Sequence, residues 1–318
     1  MIKSNSHKAG RHFLQVPGPT NIPDRVLQAM AFPAMDHRGP DFQNLSFNVL
    51  KKIKLIFKSE DPVVIFPSAG TGAMEASLAN TLSEGDKILM FETGHFATEW
   101  CQAARRYRLD VDFIPGDWRT GADPKIVEKK LSEDKNHKIK AVLVTHNETS
   151  TGIKSQVEEV RKAIDSTNHP ALFMVDTISS LGSYNYDHQK WKVDVTVGGS
   201  QKGLMCPPGL SFNAISPKAL EAYKKSKITK SYFDWGQMLD NNKNGFYPYT
   251  PAVNLLYALN EAVDMLLEEG LESVFKRHKR HADATRIAVE AWGLEILARN
   301  PIERSDSITA IMVPDGHD

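Results

Sequence analysis

The stretch "VDVTVGGSQKGLMCPPG", Val193–Gly209, puts a charged side chain where chains seldom place one. Val193–Val197 reads as a buried strand, and Lys202 follows it inside a Gly- and Pro-rich turn. Lysine is costly to bury, so a lysine behind a core strand needs a chemical reason. Desolvation lowers its pKa, and a neutral amine is a nucleophile toward carbonyls.

Other short apolar runs share this arrangement. Pro62–Phe66 ("PVVIF"), Lys87–Phe91 ("KILMF"), Ala141–Thr145 ("AVLVT") and Ala171–Val175 ("ALFMV") are apolar on both faces and alternate with amphipathic stretches. Such runs suit the strands of a covered parallel sheet, and the alternation predicts an open α/β fold. Val157, Val160 and Ile164 share one helix face. Leu255, Leu259, Val263 and Leu266 mark a longer helix over Asn254–Glu269. Ile308–Val313 ("ITAIMV") reads as one more strand.

The 318 residues exceed what one core usually holds. The expected division is an N-terminal segment (1–19), a large domain (20–255), and a linking helix that starts an incomplete smaller domain (256–318). The 39 basic and 39 acidic residues balance, which argues against a nucleic-acid partner. No apolar run approaches the ~20 residues that span a bilayer. "MIKSNSHKAGRHF" carries no apolar signal core, so a cytoplasmic location is expected, peroxisomal if the source is eukaryotic. Cys101 and Cys206 make no disulfide framework and read as structural thiols. His278 and His281 lie one helical turn apart, but in the cationic "KRHKRH", which reads as a solvated face rather than a metal site. Glu128–Lys138 reads as an exposed helix end and loop.

In open α/β sheets ligands bind beyond the carboxyl ends of the strands. There this sequence places "SAGTG" (Ser68–Gly72), "HNETSTG" (His146–Gly152), Asp176 and "GGSQKG" (Gly198–Gly203). The Gly-rich turn before a helix suits a phosphate. It lacks the Gly-Lys-Ser/Thr ending of a nucleoside-triphosphate loop. Gly70, Gly72 and Glu92 partly match a dinucleotide fingerprint, but Glu75 stands where a third glycine belongs. Asp176, after a wholly apolar strand, needs a cationic partner. Pyridoxal phosphate needs all these parts: an anion cradle, a lysine for its aldehyde, and a carboxylate for its ring nitrogen. Phe96 is placed to cover the ring.

Many ordered stretches resemble the class V, fold type I aminotransferases, and among them the serine–glyoxylate and alanine–glyoxylate group. They include "PGPTNIP" (Pro17–Pro23), "DHRGPDF" (Asp36–Phe42), "PSAGTGAMEA" (Pro67–Ala76), "VDTISSLGS" (Val175–Ser183), "GSQKGLMCPPGL" (Gly199–Leu210), "YFDW" (Tyr232–Trp235), "YPYTP" (Tyr247–Pro251), "EEGLE" (Glu268–Glu272) and "VEAWGL" (Val289–Leu294). The resemblance implies a mostly parallel sheet covered by helices, a homodimer with shared sites, and transamination from an amino acid, serine favoured, to glyoxylate. Aspartate and alanine are the alternative donors. A lyase or desulfurase of the same fold, a nicotinamide oxidoreductase and a non-catalytic cofactor-binding protein are the rival readings.

Roles follow for single positions. Lys202 would hold the cofactor as a Schiff base and act as base. Asp176 would pair with the ring nitrogen, Phe96 would stack on the ring, and Ile178 would pack under it. Ala69, Gly70, Thr71 and Gln201 would contact the phosphate, and Thr149 the ring hydroxyl. Tyr247 and Thr250 would reach the phosphate of the neighbouring subunit. Relatives in this family continue past the length seen here and carry a substrate-binding arginine there, so the chain is expected to be a fragment. Arg38 is a candidate to lie near the site.

Overall fold

The computed structural model describes residue 14 and residues 16–317. The chain begins with helices α1 (Asp24–Met30) and α2 (Pro40–Phe57). An alternating series follows: β1 (Val63–Phe66), α3 (Gly70–Thr81), β2 (Lys87–Phe91), α4 (His95–Arg106), β3 (Asp110–Ile114), α5 (Pro124–Glu133) and β4 (Ile139–Thr145). A short hairpin, β5 (Asn147–Glu148) and β6 (Ile153–Lys154), leads to α6 (Val157–Ser166), β7 (Leu172–Asp176), β8 (Val195–Gly199) and β9 (Ser211–Ile215). Then come α7 (Pro217–Tyr223), α8 (Trp235–Asn242), α9 (Val253–Glu269) and α10 (Leu271–Ala291).

Seven strands form one sheet in the order β1-β9-β8-β7-β4-β2-β3. From β8 to β3 all neighbours are parallel, and β9 runs against both β8 and β1. The carboxyl ends of β1, β2, β4, β7 and β8 therefore share one edge. β1, β7, β8 and β9 are buried along their whole length, as a sheet covered on both faces requires. β3 and β9 complete the sheet beyond the runs noted in the sequence.

Helix starts follow local chemistry. Asp123 accepts from the Lys125 amide with Pro124 in the first turn of α5, and Ser216 accepts from the Ala219 amide ahead of α7. Val157, Val160 and Ile164 of α6 are buried, as their spacing predicts. α9 packs its buried Leu256, Leu259, Val263 and Leu266 against α1 and α2. Ion pairs Lys52–Asp264 and Arg25–Glu268, each at 2.7 Å, run along that seam. Among the described residues no helix is long and apolar enough to cross a membrane.

Ile308–Val313 is not a strand. It makes one isolated bridge, Ile296–Ile311, and two flanking backbone bonds, Leu297 N–H to Ala310 O and Met312 N–H to Glu295 O. A strand needs a ladder, and among the described residues only that short segment faces it. Val313 stays 60% exposed.

Two buried asparagines lock the "YFDW" segment onto α3. Asn80 donates to Ala76 O and to Phe233 O, both at 2.7 Å, and accepts from the Trp235 amide. Asn213 on β9 donates to Ala73 O and accepts from the Trp235 indole at 3.1 Å. Replacing Asn80 with alanine improves helix propensity but leaves the Phe233 carbonyl and the Trp235 amide buried without partners. The expected net loss is about 2–4 kcal/mol of unfolding free energy. Urea unfolding measures it, and an unchanged midpoint rejects the account.

Candidate active site

A cavity of about 250 Å³ opens at the carboxyl edge of the sheet. Ala69, Gly70, Thr71, Phe96, Thr149, Asp176, Ile178, Gln201 and Lys202 all line it. They come from the ends of, or the segments after, five strands that run the same way (β1, β2, β4, β7 and β8), so the topology itself brings them together. Gly18, Pro19 and Pro208 line it too and were not singled out as site residues in the sequence. The signal for the first two was the "PGPT" stretch, assigned above to an N-terminal segment.

Lys202 sits in a closed loop. The Ser200 hydroxyl donates to Pro207 O and accepts from the Leu210 amide, and the Met205 amide donates to Lys202 O. The N-terminal segment clamps this loop from outside: the Thr20 amide donates to Gln201 O and its hydroxyl to Lys202 O. The Lys202 ammonium donates to Pro17 O at 2.6 Å. Burial lowers its pKa, and the carboxylate of Asp176 opposes that shift.

Asp176 is 3% exposed at the end of β7. Its Oδ1 accepts from the Ile178 amide at 2.8 Å. Burial pushes its pKa up to about 7; the Ile178 bond and Lys202 pull it down, and Glu148 raises it further. A cation in the cavity would draw this carboxyl back to the ionised form. The surrounding loops are laced together. Asn147 and Ser179 exchange hydrogen bonds, His146 meets the Ser180 hydroxyl at 3.0 Å, and Thr177 donates to Val197 O.

α3 starts at the cavity without a side-chain cap: the Gly72 amide donates to Ala69 O, and the Gly70 and Thr71 amides, on residues that line the cavity, have no side-chain partner. Gly70 packs closely against Ile178, which would have to shift to admit a larger residue. A Cβ at that position would stand 2.3 Å from Ile178 Cδ1. Gln201 Oε1 is buried without a hydrogen-bond partner among the described residues. An uncapped helix N-terminus, a desolvated lysine and a proton-holding carboxyl group fit what the phosphate, the aldehyde and the ring nitrogen of pyridoxal phosphate need. Among the described residues no three His, Cys, Asp or Glu side chains are grouped to hold a metal ion.

Other sequence candidates lie elsewhere. Tyr247 and Thr250 do not line the cavity of their own chain. Tyr247 is buried edge-on against Phe42 at 6.0 Å, and Thr250 is exposed. Arg38 is also outside the cavity and donates to Tyr247 O at 3.1 Å. Glu92 accepts from the Trp118 indole and sits away from the Gly-rich turn's cavity, which leaves the dinucleotide reading without its acidic partner. Both cysteines are buried, and burial pushes the Cys206 thiol up to about 12, so neither is a mobile nucleophile. His278 departs from the expected solvated face. It is half-buried and lines a second cavity of about 260 Å³ with Arg277, Ser307 and Lys202. His281 is exposed as expected.

Comparison with known proteins agrees with this geometry. The aminotransferase class-V family model matches residues 12–318. The serine–glyoxylate aminotransferase of Methylorubrum extorquens is 47% identical, covering 98% of this chain and 79% of that protein. The L-aspartate–glyoxylate aminotransferase of Paracoccus denitrificans is 44% identical, covering 95% of this chain and 77% of that protein. The alanine–glyoxylate aminotransferase of Nostoc sp. superposes with a TM-score of 0.91 at 30% identity, over 100% of this chain and 84% of that one. The chain belongs to the class-V aminotransferases, a family of pyridoxal-phosphate enzymes.

Proposed function

We propose that this chain transfers an amino group to glyoxylate, giving glycine and a 2-oxo acid, with serine as the preferred donor. The observation that carries the reading is the meeting of the Lys202 amine, the Asp176 carboxyl and the uncapped α3 N-terminus in one cavity. Serine is preferred because the relative with 47% identity uses it by name, and aspartate is second on the relative at 44%.

Bound pyridoxal phosphate supplies the aldehyde and an electron-accepting ring. Lys202 would hold the cofactor through its aldehyde. Its Nζ, once free, would carry the substrate Cα proton, a task suited to an amine whose pKa burial has lowered. Asp176 holds a proton on the ring nitrogen. Phe96, Ile178 and Thr149 would hold the ring. The first amides of α3, with Thr71 and Gln201, would hold the phosphate.

Tyr247 and Thr250, outside their own chain's cavity, serve the cavity of a second copy. Exposed Tyr232, stacked on Tyr249 at 4.3 Å beside Thr250, gives that copy an aromatic surface to cover.

Three outcomes are expected. The Lys202→Ala chain loses the visible band of lysine-bound cofactor and at least ~10³-fold in turnover with serine and glyoxylate; wild-type-like turnover refutes the reading. Mixing Lys202→Ala chains with Thr250→Ala chains yields more turnover than the two kept apart, because a mixed dimer holds one intact site. An exactly additive rate rejects the shared site. Third, Asp176 carries a raised folded-state pKa, so without cofactor its stabilising contribution is full below pH ~4 and is lost as pH rises through about 7. Cofactor-free Asp176→Asn is therefore more stable than wild type at pH 8 by about 2–4 kcal/mol, and the gap closes toward pH 4. Urea unfolding across that range measures it, and a pH-independent difference rejects the assignment. The same variant binds the cofactor more weakly.

A further inference from the structure

We infer that Glu148 is a positioning residue whose carboxylate fixes how Phe96 and Thr149 face the cofactor cavity. Neither composition nor motif singled it out, and it does not line the cavity. It is fully buried on β5 and accepts four hydrogen bonds. Oε1 accepts from the Phe96 amide at 3.2 Å, the Ser150 amide at 3.1 Å and the Ser150 hydroxyl at 2.8 Å. Oε2 accepts from the Ala97 amide at 3.0 Å.

Two of these donors are first-turn amides of α4, which no intrahelical carbonyl can satisfy. Helices usually meet that need with a short polar side chain at the cap. Here the cap position is Gly94, which offers none. A Cβ on Gly94 would stand 2.3 Å from Glu148 Cγ, so the absence of a side chain is what admits the carboxylate. The charge also sits at the positive end of the helix. The helix is thus held from another strand, 52 residues away, when a local serine would have served.

The choice of strand gives the arrangement its consequence. Thr149 is the next residue after Glu148, and Phe96 is one of the amides it holds. One carboxylate therefore ties together the two side chains that line the cavity from β2's turn and from β4's turn. Ser150 closes the link by accepting from the His95 amide at 2.9 Å. The same charge acts on Asp176. Glu148 and Lys202 are the charged groups that bear on it, with the Tyr184 and Tyr186 hydroxyls nearby, and Glu148 adds to the burial that keeps its proton bound.

The inference rests on pyridoxal phosphate occupying this cavity. Pyridoxal phosphate is titrated into cofactor-free wild type and Glu148→Gln, and the visible circular-dichroism band is followed. Glutamine keeps the shape but sets an NH₂ group against amide donors. The expected result is about tenfold weaker binding, one charged hydrogen bond's worth, and a changed band intensity per bound cofactor. The pH inflection of cofactor-free stability also moves below the wild-type value near 7. Wild-type affinity together with a wild-type band overturns the inference, even if the variant melts earlier, because a purely structural residue predicts that pattern. If Glu148→Gln does not fold, Glu148→Asp, one methylene short of α4, is read in the same way and judged by the same outcomes. A wild-type chain with no visible band refutes the cofactor reading itself, and this inference with it.

Discussion

The site is organised around a carboxyl group buried where it cannot ionise cheaply. Asp176 ends a strand in the middle of the sheet, between β4 and β8, and is 3% exposed. A second carboxylate, Glu148, bears on it, while among the described residues its one direct donor is the Ile178 amide. Such a group disfavours the charged form until a cation arrives. The fold thus keeps an electrostatic imbalance that a protonated ring nitrogen would relieve. The imbalance weakens the empty protein and favours the filled one, as differential binding requires.

An imbalance of this kind persists only if the walls cannot relax around it. The loops beyond β4, β7 and β8 are therefore cross-bonded: Asn147 to Ser179, His146 to Ser180, Thr177 to Val197, and Ser200 across its own loop. The sequence shows the same design as a density of Ser, Thr and Asn just past apolar strands. Buried hydroxyls and amides must find partners, and at this edge they find one another. The rigidity that results holds the Lys202 loop on one side of the cavity and the α4 N-terminus on the other.

Parallel strands were legible because they are apolar on both faces, and so was the edge where their polar tails collect. β9 was less so, since "SFNAI" holds a buried asparagine whose partners, Ala73 and Trp235, are distant in the chain. The edge strand β3 alternates charge with apolar residues and resembles a loop. Thr149, Ile178 and Gln201 came only from the family resemblance, while Lys202, Asp176, Phe96 and the Gly-rich turn lay next to those strands and could be read from them. Gly18 and Pro19 could not, because they reach the cavity by a contact spanning 185 residues from Pro17 to Lys202. His278 misled for a related reason: its helical neighbours are charged and solvated, while its own ring turns toward the sheet's edge.

That turn of His278 bears on how Lys202 can move. Lys202 lines both the cofactor cavity and the second cavity that His278 shares with Arg277 and Ser307. Its side chain is the partition between two spaces of about 250 and 260 Å³. Its ammonium has one hydrogen bond, to Pro17 O, and no salt bridge among the described residues. Under the transamination proposed above, a lysine that would bind a carbonyl carbon, release it and carry a proton needs room to swing and little to hold it back. Native interiors are close-packed and rarely leave such room by accident. Arg277 would be an obstacle if its charge were free to repel the amine, but Glu269 engages it through two hydrogen bonds at 2.7 and 2.8 Å. The free volume behind Lys202 is therefore kept open and electrostatically quiet, which is the condition under which one amine can serve as both anchor and base.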